Sequence, residues 1–258
     1  MVKLSGLLLA VVALVAVSSV AIAAPVVPGS MSGGVEPTLN LRFFLKQKPL
    51  SYFAELSEAS QTDHRQYEGA TLGAYYRLMP GLTVGGFYRR EYGLRHDGDW
   101  KNETGTWAWS NTNSRGEDSL ILDVTPRLTL DFLPGENWVA ELKTRSIFNT
   151  FSGEKTLTLR PGLTYFWLKE NEPFLNFFLQ YEIYFPLNYG VQTIYQSWLY
   201  LGTLYHWSHS VQAGLYGALK SETWGGTPGF VAQGGAAYSV TARTFVVGAV
   251  AVFQLTGE

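Results

Sequence analysis

Alternation of apolar and polar side chains between Leu120 and Phe132 is the feature that most constrains the fold of this chain. The apolar set is Leu120, Leu122, Val124, Pro126, Leu128, Leu130 and Phe132. Ile121 is the only apolar residue of the other set, which also contains Asp123, Thr125, Arg127, Thr129 and Asp131. Because successive side chains of a strand point to opposite faces, the segment predicts a strand with one apolar face and one ionic face.

The same alternation recurs along the chain and predicts twelve strands. The segments are 38–46, 50–59, 67–78, 82–92, 119–132, 138–149, 156–168, 174–185, 195–206, 210–220, 229–240 and 244–255. Their lengths of about nine to fourteen residues suit tilted strands that cross a bilayer, whereas strands of soluble proteins average about five or six residues. A sheet with one face in hydrocarbon and the other in water must close on itself. We therefore expect an all-β fold, a transmembrane antiparallel up-and-down β-barrel of ten to twelve strands.

The N-terminal segment has the organisation of a secretion signal. Lys3 precedes an apolar run over 7–20, and Ala21-Ile22-Ala23 is typical of a cleavage site. This pattern predicts a signal peptide over 1–23, an N-terminal extension over 24–37 and the barrel over 38–258. An uncleaved helical anchor is the alternative interpretation, because the apolar run is about long enough to span a membrane.

Composition excludes several classes of site. The chain has no cysteine, so disulfides, thiolate nucleophiles and cysteine-type metal sites are absent. Its net charge of −2 leaves no basic surface of the kind that nucleic acids bind. The sequence therefore predicts neither a nucleic-acid partner nor a cofactor.

Aromatic residues on the predicted outer faces lie within a few positions of short turns. They are Tyr76, Trp138, Trp167, Tyr205 and Tyr238. Amphipathic rings collect at lipid headgroups, so the row predicts one membrane-interface girdle. The general enrichment of aromatic residues in strands is the alternative explanation.

The signal peptide, the hairpin over 75–84 and the closing strand over 245–253 resemble Gram-negative outer-membrane β-barrel proteins. The resemblance covers 38–255 and is architectural. It implies a location in the bacterial outer membrane, with outer-membrane lipid and the barrel-insertion machinery as partners. Such proteins often end at an aromatic residue, whereas here five residues follow Phe253.

Twelve strands create a parity conflict. They imply six short connections and five longer ones, although a barrel with both ends in the periplasm has one fewer short turn than long loops. Either the short turns face outward or the count is wrong by one. A hidden strand in 98–112, or one kinked strand over 38–59, would also change the count.

The inner face carries the charged residues on which a function depends. The predicted lumen-lining residues are Arg42, Glu55, Arg77, Arg89, Glu91, Asp123, Arg127, Asp131, Glu141, Lys143, Arg145, Arg160, Glu182 and Lys220. One interpretation is a porin-like channel that passes small polar or anionic solutes. The other is an ion-pair network that fills the lumen, because a barrel of this size is narrow. The second interpretation describes a non-conducting structural barrel that displays the acidic, tryptophan-containing loop 93–118.

Enzymatic and metal sites receive little support. His206 and His209 have metal-like spacing but lie on a predicted turn without a third ligand nearby in sequence. The pairs Asp63-His64 and His96-Asp97 are the candidates for an outer-membrane hydrolase, and no Gly-x-Ser-x-Gly motif accompanies them. We therefore expect no catalytic residues and no metal.

Overall fold

The computed structural model describes residues 35–60, 66–93, 95–96, 109–110, 116–135, 137–190, 194–225, 228–232, 234 and 239–256. Eleven long strands close into a barrel, two short strands pair with each other, and one short helix, α1, covers Pro228–Ala232. The strands are β1 Val35–Gln47, β2 Leu50–Ser60, β3 Gln66–Met79, β4 Leu82–Tyr92, β5 Arg95–His96, β6 Trp109–Ser110, β7 Glu117–Thr129, β8 Trp138–Asn149, β9 Lys155–Lys169, β10 Glu172–Pro186, β11 Gln196–His206, β12 Val211–Gly225 and β13 Ser239–Thr256.

Neighbouring barrel strands are antiparallel everywhere except at the closure. There β1 pairs with β13 in parallel, from Val35 opposite Phe245 to Lys46 opposite Thr256. This geometry follows from the odd strand number, since the first and last strands of an up-and-down barrel then point the same way. The predicted fold class, an all-β and mainly antiparallel closed barrel, is confirmed, and eleven strands fall within the predicted range.

The difference of one strand arises after β12. The prediction of a strand over 229–240 is wrong, because α1 occupies 228–232, and the predicted turn at 241–243 is wrong as well. Pro228 has a fixed φ that suits the first position of a helix. Residues 241–243 contain neither Gly nor Pro and pair with β12 in an unbroken ladder. The barrel strands therefore have five connections at each end. At one end, the turn end, four connections have two to four residues and the β7–β8 connection has eight, whereas those at the other end, the loop end, have five or more. Equal numbers at the two ends remove the parity conflict, because an odd number of strands places the first and last strand ends on opposite sides.

The outer face of the barrel is apolar and exposed. On β7 the exposed side chains Leu120, Leu122 and Val124 alternate with the buried Ile121 and Asp123. The same exposure recurs around the wall at Leu39, Leu56, Leu72, Leu142, Leu179, Leu201, Leu215, Leu219 and Val247. Soluble monomers rarely expose a continuous apolar surface of this extent. No helix in the described ranges is long and apolar enough to cross a membrane.

The buried core lies inside the barrel rather than between two layers. Eleven strands about 4.8 Å apart and tilted by about 40° give a backbone diameter of about 22 Å. Phe53, Phe87 and Ile121 form a buried cluster against the inner wall, and Phe44 and Tyr75 pack on it. The lumen is therefore narrow enough for side chains from opposite walls to fill much of it.

Candidate functional site: the lumen of the barrel

Cross-strand register shows which predicted lumen residues share the inner face. Directly paired residues point to the same face of a sheet, and the ladder links Arg42 to Glu55, Thr71 and Arg89 across four strands. By the same reasoning the inner face carries Arg42, Glu55, Arg77, Arg89, Glu91, Asp123, Arg127, Glu141, Lys143, Arg145, Arg160, Glu182 and Lys220. Asp131 lies elsewhere: β7 ends at Thr129, and Asp131 is exposed in the turn that follows.

An ionic triad occupies the middle of the lumen. Asp123 on β7 is paired in register with Arg145 on β8, and Lys143 lies two residues away on the same face. The Asp123 carboxylate accepts bonds of 2.7 and 2.9 Å from Arg145 and contacts Lys143 Nζ at 2.9 Å. The Asp123 side chain has no accessible surface, and that of Lys143 is 10% exposed. A carboxylate buried so completely is held by its two cations.

The triad contacts a strand that is not its neighbour. Lys143 Nζ on β8 donates to the hydroxyl of Tyr75 on β3 at 3.2 Å, although β4 and β7 separate these two strands. The same ammonium lies 5.5 Å from the centre of the Tyr75 ring. Glu55 on β2 interacts electrostatically with Lys143 and Arg145 as well as with its neighbour Arg42. One network therefore joins inner-face side chains from β2 to β8 along the wall.

Further ion pairs extend the network along the inner face. Arg42 binds Glu55 on the neighbouring strand, and Arg127 binds Glu141 at 3.1 Å. Others join Arg89 to Glu91 at 3.2 Å and Lys220 to Glu222 at 2.8 Å. Both signs of charge thus alternate along the inner face, a pattern that suits ion pairing in a closed lumen and the lining of an open one equally.

The network also includes aromatic side chains on the inner face, and the alternation of 67–78 and 82–92 already predicts an inward position for Tyr75 and Phe87. The rings of Phe53 and Phe87 are edge-on with their centres 5.5 Å apart, and the ring centres of Tyr75 and Phe87 are 4.7 Å apart. Gly73 is paired with both phenylalanines, so no side chain separates the rings. The list of predicted lumen-lining residues is restricted to charged residues and therefore leaves these rings out. Glycines on the inner parity, such as Gly73 and Gly85, were the available signal that rings fill this space.

The opposite wall is filled by tyrosines. The ring of Tyr216 on β12 lies directly over Gly248 on β13, and Asn40 donates to the Tyr216 hydroxyl at 2.9 Å. The ring centres of Tyr200 and Tyr216 are 6.0 Å apart. Ala218, between these rings on the inner face, is 1% exposed. Asp123 and Ala218 lie on facing walls, and both are therefore almost inaccessible to water-sized molecules.

A wide cavity, the vestibule, opens at the turn end of the lumen. Its volume is about 890 Å³, which lies within the usual range for small-molecule sites. The wall contains Lys46, Phe166, Lys169, Glu170, Glu172, Pro173, Phe174, Asn176, His206, Trp207, Ser208, His209, Gln212 and Gln254. The vestibule is therefore polar, with aromatic side chains at its rim.

The predicted interface aromatics gather near the same end. Tyr76, Trp138, Trp167 and Tyr205 lie at the turn-end limits of their strands, whereas Tyr238 lies outside the described residues. Trp138, Trp167 and Tyr205 pack against neighbouring aromatic rings, and the ring centres of Trp138 and Tyr165 are 4.8 Å apart. These four residues therefore lie at one end of the barrel, and their role as a membrane-interface girdle stays a prediction.

The remaining candidates lie at the two ends of the barrel. In loop 93–118, Arg95–His96 pairs with Trp109–Ser110, and much of the loop lies outside the described residues. Both members of Asp63-His64 lie outside them too, as does Asp97, so the hydrolase hypothesis remains a prediction. His209 Nε2 lies 3.5 Å from Glu172, and no metal-binding group of three residues occurs in the described ranges.

Comparison with known proteins finds no matching family model and no matching curated protein.

Proposed function

We propose that the chain is a barrel of the bacterial outer membrane whose lumen is closed at its middle by its own side chains. It then acts as a non-conducting structural barrel that holds loop 93–118 at one membrane surface. The outer apolar face and the turn-end aromatic row support the membrane location, because lipid and headgroups are the surroundings that such surfaces require.

The buried triad is the observation that supports closure: Lys143 on β8 reaches Tyr75 on β3, three strands along the wall, and the Asp123 side chain has no accessible surface. Removing one partner from such a buried network typically costs about 3–5 kcal/mol, because the remaining ion stays buried without its counter-ion. An open pore of this diameter would instead leave its charged wall in contact with water.

A porin-like channel for small polar or anionic solutes is the second candidate. The observation that favours it is the vestibule, which lets solutes enter the lumen from the turn end. In this case the triad would form the floor of the entrance and would have to rearrange for solutes to pass. The two candidates differ in conductance.

Planar-bilayer recording of the refolded protein tests the proposal. The closed barrel predicts no discrete conductance steps from samples that are shown to be folded by heat-dependent migration on SDS gels. The matched variant Tyr75→Ala/Lys143→Ala removes the bridge and is expected to conduct. Discrete steps from the unmodified protein would refute closure and favour the channel.

A further inference from the structure

We propose that the vestibule is a binding site for a small solute that carries a phosphate or carboxylate group. The site lies on the turn-end side of the triad, and it goes beyond the proposed function because binding requires no passage through the barrel. Its chemistry comes from two different parts of the wall.

Lys46 lines one side of the vestibule, and Lys48 and Arg77 lie near it without lining the cavity. Lys46 at the end of β1 lines the cavity and is repelled electrostatically by Lys48, in the following turn, and by Arg77 at the end of β3. Within the described ranges none of the three forms an ion pair, and Lys46 Nζ donates only to the side-chain oxygen of Gln254. Uncompensated positive charge at the mouth of a cavity attracts anions.

The wall beyond the basic side chains offers neutral hydrogen-bonding groups. Gln212, Gln254 and Asn176 line the cavity with side-chain amides, each of which donates and accepts hydrogen bonds. Asn176 is buried, and its Oδ1 has no partner among the described residues. Such groups suit hydroxyls next to an acidic group.

The acidic residues of the vestibule lie on the far rim. Glu170 and Glu172 lie next to Lys169 where β9 connects to β10, and three strands, β11, β12 and β13, separate β10 from β1 in the barrel order. A carboxylate oxygen of Glu172 also lies 3.5 Å from His209 Nε2. These carboxylates therefore do not neutralise the basic side, and a bound solute would place its acidic group toward Lys46.

Three sugars of similar size test the site on the folded full-length protein in detergent. Glucose 6-phosphate carries a phosphate, glucuronate carries a carboxylate, and glucose carries neither. Isothermal titration is expected to show at least one acidic sugar binding roughly tenfold more tightly than glucose, because hydrogen bonds to charged groups are the stronger ones. Trp207 at the rim is 76% exposed and supplies a fluorescence readout.

Variants of the basic side chains make the test specific. Lys46→Gln and Arg77→Gln should each weaken binding of the acidic sugar roughly fivefold to tenfold. Lys155→Gln is the control, because this exposed lysine begins β9 at the loop end of the barrel. Equal binding of glucose, no binding of any sugar, or unchanged affinity in both vestibule variants would overturn the inference. Conductance recordings decide the proposed function separately.

Discussion

Removing the charge of Asp123 perturbs the lumen network at its centre while preserving the shape of the side chain. In Asp123→Asn, the carboxamide is close to isosteric, but Lys143 and Arg145 lose their shared counter-ion. Breaking a buried ion pair typically costs about 3–5 kcal/mol. Since the Arg145 side chain is 22% exposed and water compensates part of its loss, we expect about 3 kcal/mol of lost stability, or roughly a 150-fold change in the unfolding equilibrium.

Reversible urea unfolding in phosphocholine vesicles, followed by tryptophan fluorescence, measures this change. Asp131→Asn is the matched control, because it removes the same charge from an exposed turn and is expected to change stability by less than about 0.5 kcal/mol. A difference between the two variants below about 0.5 kcal/mol would refute the reasoning. Asp123 would then be solvated, and the lumen around it would hold water.

Two further predictions test the outer face and the far wall of the lumen. Leu122→Arg places a charge on the outer face at a side chain that is 58% exposed, and it should cost about 2–4 kcal/mol in a bilayer. Phe132→Arg at the turn end should cost about 0–1 kcal/mol; equal costs by vesicle unfolding would contradict a lipid-facing wall. Gly248→Ala should cost about 1–3 kcal/mol, because its Cβ would overlap the Tyr216 ring. Gly86→Ala, whose Cβ would lie 3.9 Å from its nearest neighbour, is the control, and equal melting temperatures would show that the ring moves freely.

Much of the barrel could be predicted from sequence because alternation reports directly on which face a side chain occupies. The exposed Leu120, Leu122 and Val124 on β7 follow the pattern of the sequence residue by residue. Register then places the charged residues of the opposite parity together inside. The physical reason is that the two faces of each long strand differ in polarity along its whole length, so one register error would exchange every side chain between them.

The strand count and the aromatic lumen were harder to predict. Apolar alternation over 229–240 does not distinguish a strand from a short helix, and the decisive feature was Pro228 at the helix start. The filling of the lumen depends on rings such as Phe87 and Tyr216, which pack over glycines of neighbouring strands. Such contacts join residues that are far apart in sequence, so they can be identified only when the cross-strand register is known.

Cysteine labelling tests the closed lumen most directly. The chain has no cysteine, so a single introduced thiol is unique. Thr125 on β7 and Ala218 on β12 lie on facing inner walls and are 3% and 1% exposed, whereas Arg77 is exposed at the turn end. A water-soluble thiol reagent should label folded Arg77→Cys rapidly, and it should label Thr125→Cys and Ala218→Cys only after unfolding. Rapid labelling of both central cysteines in the folded barrel would contradict closure and establish a continuous aqueous passage.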